Sequence, residues 1–515
     1  MKIGLISTST FPADQGLRTL SACLKREGHK VKMFFLPMEE DYTKVYSKNV
    51  LEQLKRETKD FGLIGITAMA STRRRAKQLI DIYKSLGIPV VWGGAHPTFY
   101  PEDCFKVCDM IAVGEAEEAL IELADKIEKG KDITKTANIW LRKDGKEYKN
   151  DVRAPAKDLD WLAHPDYEVQ DHKILENGRL IPFEERHVGG MIFFQTERGC
   201  PQACTFCTNN ILRKLYKGKS DLLRTHSVDY VIKEFVRLKE MFPSISVFDV
   251  RDETFLIRDI KWLKEFAQRY KKEVGIRFKC LSEPASMGID QLSDEKIGLL
   301  VDAGLTDIII GIQSGSDRVN FEVYKRWITG KQVLKAAKIL NKYHKKLTVM
   351  YDIIASNPYE NKEDILETIN LIKQLPSPYY LSINNLVLFE GTPLYNQALQ
   401  DGYVKPGDDS TSFLNYWDRW KHIKAKKKNA YLNLVLNLMR GPVTKDRFGV
   451  LPRKAVDFLI KGNLVDYNVK HKWLTALMGR GVQSMDLFRE ELVKPLYRSM
   501  PVSIKMWYDK VRYKA

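Results

Sequence analysis

This chain of 515 residues has only seven cysteines and nine histidines, and it has no long uninterrupted apolar run. No stretch approaches the roughly 18 apolar residues that a membrane-spanning helix needs. The opening MKIGLISTST predicts a short strand rather than a signal peptide, because its apolar run is brief and no cleavage site follows. So few cysteines also exclude a disulfide framework. We therefore expect a cytoplasmic protein whose thiols stay reduced.

Acidic residues are scarce at one end of the chain. The formal net charge is +17, and residues 401–515 hold 23 Lys and Arg against 11 Asp and Glu. A basic surface attracts phosphates, whether on nucleic acid, lipid headgroups or a diphosphate substrate. A merely solvated basic face has the same composition, so the sequence leaves both interpretations open.

Three of the seven cysteines are close together, with C-x₃-C-x₂-C spacing: Cys200, Cys204 and Cys207. Thiolates hold iron–sulfur clusters, and three of them leave one iron of a [4Fe–4S] cluster open to another ligand. A zinc site would need a fourth Cys or His. His226 is poorly placed for that role and no second C-x₂-C pair exists, so the spacing favours a cluster.

At this spacing the chain resembles the radical S-adenosylmethionine (SAM) enzymes. In that family the open iron takes the amino and carboxylate groups of SAM, and the electron of the cluster cleaves SAM to a 5′-deoxyadenosyl radical. Gln313 replaces the family's usual glutamate, so this side chain can hydrogen-bond but carries no charge. The resemblance implies SAM-binding residues in three places: Phe206 near the adenine, Asp252 and Glu253 at the amino group, and Gly311, Gln313 and Ser314 beside the ribose and methionine.

Residues 1–145 alternate between strand and helix patterns, which predicts an α/β fold with a doubly wound, Rossmann-like parallel sheet. Ligands of such sheets bind outside the carboxyl ends of the strands. Small and polar residues follow three of the predicted strands there: Thr67, Met69 and Ser71; Gly93, Gly94, His96 and Thr98; Gly114 and Glu115.

These turns resemble those of the cobalamin-binding domain that precedes many radical SAM domains. The resemblance depends on GG-x-H-x-T-x-x-PE at residues 93–102 and VGE-x-E at 113–117, and it implies that the nine turn residues bind cobalamin. The D-x-H-x-x-G loop that supplies a histidine to cobalt is absent, which leaves the lower cobalt ligand open. For His96, a structural hydrogen bond is favoured over cobalt ligation. A Rossmann-like domain for another nucleotide is the alternative, but G-x-G-x-x-G is missing after the first strand.

The middle of the chain, residues 190–400, contains six predicted strand–helix units, which indicate a partial (β/α)₆ barrel. Polar residues at the carboxyl ends of barrel strands are typical of functional sites. Cys280 lies on a predicted barrel strand, where a buried inert thiol is favoured. Residues 146–189 are predicted to be a polar connector between the two domains.

The resemblance stops near residue 400, and residues 401–515 predict a small, basic, mostly helical domain. Its helix candidates are residues 416–439, 456–460 and 473–478. A helical cap over the barrel mouth is favoured for this region. Aromatic and cationic residues interleave over residues 500–513, so peripheral contact with a membrane surface is the alternative.

The resemblance implies a cobalamin-dependent radical SAM enzyme that transfers a methyl group from methylcobalamin to a small-molecule or lipid substrate. It also implies an electron donor such as ferredoxin or flavodoxin. A ring-forming enzyme of the anaerobic magnesium-protoporphyrin monomethyl ester cyclase type stays open, and no individual residue is assigned a catalytic role.

Two further classes are weighed. A radical SAM enzyme that modifies RNA is disfavoured, because Cys23, Cys104 and Cys108 do not form the N-terminal set of the tRNA methylthiotransferases. A cobalamin-binding sensor with a vestigial barrel would not cleave SAM.

Overall fold

The computed structural model describes residues 1–38, 41–221, 223–405 and 429–471. Within them the chain forms two large sheets of nine strands each, one after the other along the sequence. Helices cover the sheets, and two short ladders lie beside the second sheet.

The first sheet has the strand order β7-β6-β5-β4-β3-β1-β2-β8-β9, and β1 to β5 are parallel. This central order is that of the doubly wound folds of the flavodoxin type. Its strands are β1 (Lys2–Ser7), β2 (Lys30–Phe35), β3 (Leu63–Thr67), β4 (Val90–Gly93), β5 (Met110–Ala112), β6 (Ile139–Lys143), β7 (Lys146–Lys149), β8 (Lys173–Glu176) and β9 (Arg179–Pro182). Its helices are α1 (Gln15–Arg26), α2 (Lys48–Thr58), α3 (Arg73–Ser85), α4 (Ala95–Phe99), α5 (Pro101–Val107) and α6 (Glu117–Glu128).

Both faces of this sheet are buried, which explains the continuous apolar runs of its strands. On one face Ile6 packs in a core with residues of α2 and α3. On the other face Ile3 and Leu5 pack with residues of α1 and α6. The side chain of Asp14 caps α1 by accepting a hydrogen bond from the Leu17 backbone N–H at 3.1 Å. The predicted doubly wound sheet is confirmed.

The second sheet contains six parallel strands in the order β10-β13-β14-β17-β18-β19, followed by three short antiparallel strands. The predicted six-strand partial barrel is therefore confirmed. Its strands and the nearby ladders are β10 (Met191–Phe194), β11 (Glu197–Arg198), β12 (Arg224–Thr225), β13 (Val247–Val250), β14 (Arg277–Ser282), β15 (Ala285–Ser286), β16 (Ile289–Asp290), β17 (Leu305–Gln313), β18 (Thr348–Ala355), β19 (Tyr379–Asn385), β20 (Gly441–Val443), β21 (Arg447–Phe448) and β22 (Leu451–Pro452). The helices are α7 (Asn209–Leu215), α8 (Val228–Met241), α9 (Ile260–Arg269), α10 (Asp294–Ala303), α11 (Gly330–Asn341), α12 (Lys362–Gln374), α13 (Pro393–Gln400), α14 (Ala430–Met439), α15 (Arg453–Leu459) and α16 (Gly462–His471).

Residues along the barrel strands alternate between two environments. On β18, Val349, Tyr351 and Ile353 are buried in the core beneath the helices, whereas the residues between them are only partly buried and face the inside of the barrel. Cys280 lies on the core side of β14 and is fully buried, in agreement with the inert thiol expected there.

The predicted connector, residues 146–189, carries more regular structure than its polar composition indicated. It supplies β7 to one edge of the first sheet, and β8 and β9 to the other. These strands are short and partly exposed, so their composition does not show the apolar pattern of a central strand.

The described part of the predicted C-terminal domain, residues 429–471, also differs from the helical cap that we expected over the barrel mouth. Apolar residues of α14 pack into the barrel core from outside, and β20 pairs with β19 at the open edge of the barrel. An unpaired edge strand offers free backbone hydrogen-bonding groups to other chains. The pairing with β20 covers this edge of β19. Most of the helix candidate at residues 416–439, all of the candidate at 473–478, and the aromatic and cationic tail at 500–513 lie outside the described residues. In the part of the chain that the structure describes, no helix has the length and apolar character required to cross a membrane.

Candidate active site

A cavity of about 910 Å³ lies where the carboxyl edge of the first sheet faces the barrel. Its walls come from the turns after β1, β3, β4 and β5, from the segment between β10 and α7, and from the end of β13. In this kind of sheet, the loops after β1 and β3 diverge and leave a crevice for a ligand. The predicted site residues on its walls are Thr67, Met69, Ser71, Gly93, Gly94, Gly114, Glu115, Cys200 and Glu253.

Two glycines on this wall are required by geometry. Gly94 has a φ of +93°, and a Cβ there would lie 2.5 Å from Thr67 Oγ1. Gly114 has a φ of +83°, and a Cβ there would collide with the Tyr216 hydroxyl. Only glycine adopts these conformations without strain and leaves the space open. The turns after β4 and β5 therefore present bare backbone to the cavity, as a close-fitting large ligand requires.

Two residues of the predicted cobalamin set lie behind the wall rather than on it. His96 is buried between the rings of Trp92 and Tyr100, and burial lowers its pKa to about 4. Its Nδ1 has no hydrogen-bond partner among the described residues, and the structural hydrogen bond favoured for His96 stays a prediction. Thr98 ties the two turns together, because its hydroxyl donates to the Gly94 carbonyl and accepts from the Gly114 N–H.

Side chains and backbone groups of neighbouring segments hold the cysteine loop in a fixed conformation. Arg213 on α7 donates to the Pro201 carbonyl at 2.6 Å and to the Gln202 carbonyl at 3.1 Å. The Thr205 hydroxyl donates to the Val323 carbonyl at 2.6 Å, which fastens the loop to the barrel. Asn210 donates to the Cys204 carbonyl. Cys200, Cys204 and Cys207 are thus presented from an ordered loop, with Cys200 on the cavity wall.

The spacing of the three thiols suits a cluster better than a single zinc ion. Among the described residues, the only His, Cys, Asp or Glu group whose ligand atoms all lie within 4.8 Å of one another is His29, Asp125 and Glu128, so at least one pair of the cysteine sulfurs is farther apart. A tetrahedral zinc with Zn–S bonds of about 2.3 Å would draw its sulfurs to roughly 3.8 Å. Burial raises the pKa of all three thiols, that of Cys207 to about 12, and metal binding must displace these protons.

Of the two acidic residues predicted at the SAM amino group, only Glu253 lies on the cavity wall. Surrounding protein raises the pKa of its carboxyl by desolvation, although a hydrogen bond from Asn209 opposes the effect. The Asp252 side chain makes other contacts, and its role at the SAM amino group stays a prediction. Its buried carboxylate accepts hydrogen bonds from the backbone N–H groups of Thr196 and Glu197 and pairs with Arg258 at 2.8 Å. It braces the start of the cysteine loop and does not reach the cavity.

The other predicted SAM residues lie beside the loop on the barrel side. The Ser314 side chain is turned away from the loop. It is 1% exposed and packs against α12, and its hydroxyl accepts from the Ser316 N–H. Gln313 has a left-handed φ of +68° after a bulge in β17, and its amide folds back against Gly311. The ring of Phe206 makes an edge contact with Tyr324 at 4.9 Å between centroids.

A buried polar chain links the cysteine loop to these strands. Gln202 donates to Glu283 at 2.9 Å, and Glu283 pairs with Arg326 at 3.2 Å. Arg326 in turn donates to the Gly311 and Ile312 carbonyls. The loop and the end of β17 are therefore held at a fixed distance.

Sequence reasoning missed the residues that join the two domains at the cavity. Arg198, two residues before Cys200, pairs with Glu115 at 2.9 Å and with Glu117 at 2.5 Å. Arg224 also pairs with Glu115, and the Tyr216 hydroxyl accepts from the Glu115 N–H at 2.6 Å. Because its carboxylate is engaged by two arginines, Glu115 bridges the domains. The basic residue beside the cysteines was visible in the sequence, but nothing there indicated its partners.

A second contact across the domains lies at the other side of the loop. The Gln15 side chain accepts from the Gln195 N–H at 2.7 Å and donates to the Gln195 carbonyl at 3.3 Å. Both residues line the cavity. Gln15 is the first residue of α1, directly after the turn that follows β1, and it fixes the end of β10.

Two family models match the chain. The model of the B12 binding domain matches residues 1–124, and the model of the Radical SAM superfamily matches residues 195–372. The first ends before the connector, and the second begins at the cysteine loop. The two matches include the turns and the cysteines that meet at the cavity.

Individual relatives are similar to this chain over two thirds or more of its length. The chain is 27% identical over 391 residues to "Uncharacterized methyltransferase PH0819" of Pyrococcus horikoshii, covering 74% of this chain and 78% of the relative. It is 24% identical over 350 residues to bacteriochlorophyllide d C-8(2)-methyltransferase of Chlorobaculum tepidum, covering 67% and 70%. The fold matches that of the radical SAM methyltransferase TsrM from Kitasatospora setae with a TM-score of 0.60, at 16% identity over 78% of this chain and 76% of that one. The chain belongs to the cobalamin-binding radical SAM enzymes, whose cofactors are a [4Fe–4S] cluster, SAM and cobalamin.

Proposed function

We propose that this enzyme transfers a methyl group from SAM to an unactivated carbon of its substrate. The observation that carries the proposal is that one cavity has the glycine turns of the cobalamin domain on one wall and Cys200 with Glu253 on the other. Two cofactors bound in these places would lie side by side over the barrel. The names of two relatives and of one fold match, all methyltransferases, support the same reaction.

Residues of the chain suit each cofactor. Cys200, Cys204 and Cys207 would hold the cluster, and the Glu253 carboxylate would pair with the SAM amino group. The bare backbone at Gly93, Gly94 and Gly114 would admit the cobalamin ring, with Thr67, Met69 and Ser71 on the adjacent turn after β3. When bound, these cofactors supply the reductive cleavage of SAM and the carrier for the methyl group.

The protein itself supplies placement. The Gln202–Glu283–Arg326 chain fixes the cysteine loop against β17, and the Arg198 and Gln15 contacts fix it against the first domain. The backbone around Gly311 and Gln313 is held beside the loop by Arg326. Positioning of this kind lowers a barrier because no reorganisation is needed once the substrate has bound.

The reaction is tested with methyl-labelled SAM. Reconstituted enzyme is incubated without oxygen, with a chemical reductant and a metabolite extract, and 5′-deoxyadenosine and label are both followed. Label in a new extract compound, together with 5′-deoxyadenosine, is expected. A new product without label would replace methylation by the ring-forming alternative. Absence of 5′-deoxyadenosine would overturn the enzyme assignment in favour of a sensor. The Cys204→Ala variant is the control that should show neither signal.

The partners form part of the proposal. We expect a small-molecule or lipid substrate and a one-electron donor such as ferredoxin or flavodoxin. Contact with a membrane surface through the basic C-terminal region is a further expectation. Residues 472–515, which carry much of that region, lie outside the described residues.

A further inference from the structure

The inside of the barrel, which we call the lumen, carries a layer of charged side chains. Alternate residues of each strand face it, because their neighbours are buried in the core beneath the helices. Phe193, Asp249 and Lys279 are aligned across β10, β13 and β14. The charged residues of the lumen are Asp249, Arg251, Lys279, Asp307 and Asp352.

Four of these five charges form two pairs. Arg251 donates to Asp249 at 2.7 Å, and Lys279 lies 4.0 Å from Asp307. Asp352 is the fifth. A hydrogen bond from Ser382 reaches its carboxylate, but among the described residues no ion pair within 4.0 Å joins it to a cation. Asp352 is therefore the one of these five charges that has no ion-pair partner among the described residues.

The position of Asp352 is close to the candidate active site. It is the ladder partner of Gly311 on one side and of Ser382 on the other. Arg251, the nearest cation that acts on it, comes from the opposite side of the barrel and also lines the cavity. Asp352 thus lies on the strand beside the predicted SAM residue Gly311, and its charge is linked through Arg251 to the cavity wall.

An enclosed carboxylate without a cation is costly, and a bound cation would offset that cost. Desolvation raises the pKa of Asp352, while Ser382 and Arg251 act in the opposite direction. A ligand with a positive group would give the Asp352 carboxylate the cationic partner that it lacks within the described part of the chain. A ligand that carries only a carboxylate would add repulsion at this point.

We propose that the lumen binds the substrate through a protonated amine, which pairs with the Asp352 carboxylate. The inference deepens the proposed function, since it assumes that the lumen holds the substrate of that reaction. It selects amine-bearing small molecules from the substrate classes that the sequence left open. Purely acidic or uncharged lipid substrates are excluded.

The test uses two probes that share a phenylethyl group and carry opposite charges, 2-phenylethylamine and 3-phenylpropanoate. Their dissociation constants are measured by calorimetry on the reconstituted enzyme with SAM bound. We expect at least a tenfold preference for the amine, which corresponds to about 1.4 kcal/mol. The Asp352→Asn variant should lose this preference. The matched control Asp302→Asn removes the same charge at an exposed position, where Asp302 pairs with Lys271 at 2.8 Å, and it should retain the preference.

Each outcome decides the question. No preference in the wild type, or a preference that survives in Asp352→Asn, overturns the inference. If Asp352→Asn does not fold, Asp352→Ser repeats the comparison with a smaller neutral side chain. Cluster absorbance and reductive SAM cleavage are recorded on the same samples. If these signals persist while the preference is absent, the lumen inference fails and the proposed function stands. If they are missing from the wild type, the proposed function fails instead.

Discussion

The β11–β12 ladder at the base of the cysteine loop provides the sharpest test of how the two domains act together. Arg198 and Arg224 are directly opposite each other in the β11–β12 ladder, at the two ends of the excursion that carries the cysteines. Like charges in that position repel, and Glu115 from the first domain holds both. Its carboxylate lies 2.9 Å from Arg198 Nη1 and 3.2 Å from Arg224 Nη1, and it also accepts from Arg224 Nη2.

The perturbation is Glu115→Gln, which removes the charge and keeps the shape. The three side chains are 24% (Arg198), 8% (Arg224) and 26% (Glu115) exposed, so solvent screens these contacts only in part. Hydrogen bonds to charged groups contribute about 1.5–3 kcal/mol each. Because Arg198 keeps Glu117 as a partner, we expect a net loss of roughly 3 kcal/mol in the free energy of opening the loop. This corresponds to exchange about 100-fold faster.

The assay is amide hydrogen exchange over residues 196–226, in protein purified without cobalamin so that no ligand contact contributes. The matched control is Glu118→Gln, three residues later in the first turn of α6. Glu118 pairs with Arg153 at 3.0 Å but is 46% exposed, so its loss should cost under about 0.5 kcal/mol. Exchange at the wild-type rate in Glu115→Gln would refute the reasoning. Equal acceleration in both variants would show only that negative charge in the segment 115–118 matters, whichever residue carries it.

Three further predictions concern the cofactor sites and pH. Cys204→Ala should abolish the visible absorbance of the reconstituted cluster, and Cys280→Ala should keep it, because Cys280 is buried in the barrel core; retention in Cys204→Ala would contradict the cluster assignment. Gly94→Val should lose cobalamin binding but keep the cluster, whereas Gly130→Ala, which meets no neighbouring atom, should keep both; loss of both in Gly94→Val would indicate unfolding. Burial and the nearby Asp364 raise the pKa of Glu360 to about 8, so the stability that its protonated form contributes is complete below its unfolded value near 4.3 and is lost as pH rises toward 8. The Tm of the wild type should therefore fall more than that of Glu360→Gln between pH 5 and 8, and parallel curves would be inconsistent with this pKa.

Much of the fold was predictable because its central strands are buried on both faces or along one complete face. The run Lys2–Ser7 and the alternation in Thr348–Ala355 each show this clearly. The helix Lys48–Thr58 was missed, since only three of its residues are buried. The strands added at the sheet edges were also missed, because a strand of two to four partly exposed residues leaves no periodic pattern.

The positions of the site turns were predictable, but the directions of their side chains were not. Motif spacing located Asp252 and Glu253 at the end of β13, and the structure sends one inward to Arg258 and the other to the cavity. Adjacent residues after a strand differ in this way because successive side chains point to opposite faces. Ser314 is buried for a related reason, since Gly315 packs directly against the backbone of Thr368.

Contacts between the domains could not be predicted from the sequence, because they depend on how two separate sheets and their helices meet. The partners of Arg198 are about 80 residues earlier in the chain, and no local spacing connects them. Yet these contacts decide the geometry of the site. Arg198 and Arg224 form ion pairs with the turn after β5, and Gln15 hydrogen-bonds to the end of β10. The cavity lies between these two sets of contacts. Since the glycine turns and the cysteine loop are fastened to each other by side chains at both ends, the distance between the two cofactor sites is a property of the domain interface, and neither domain alone would define it.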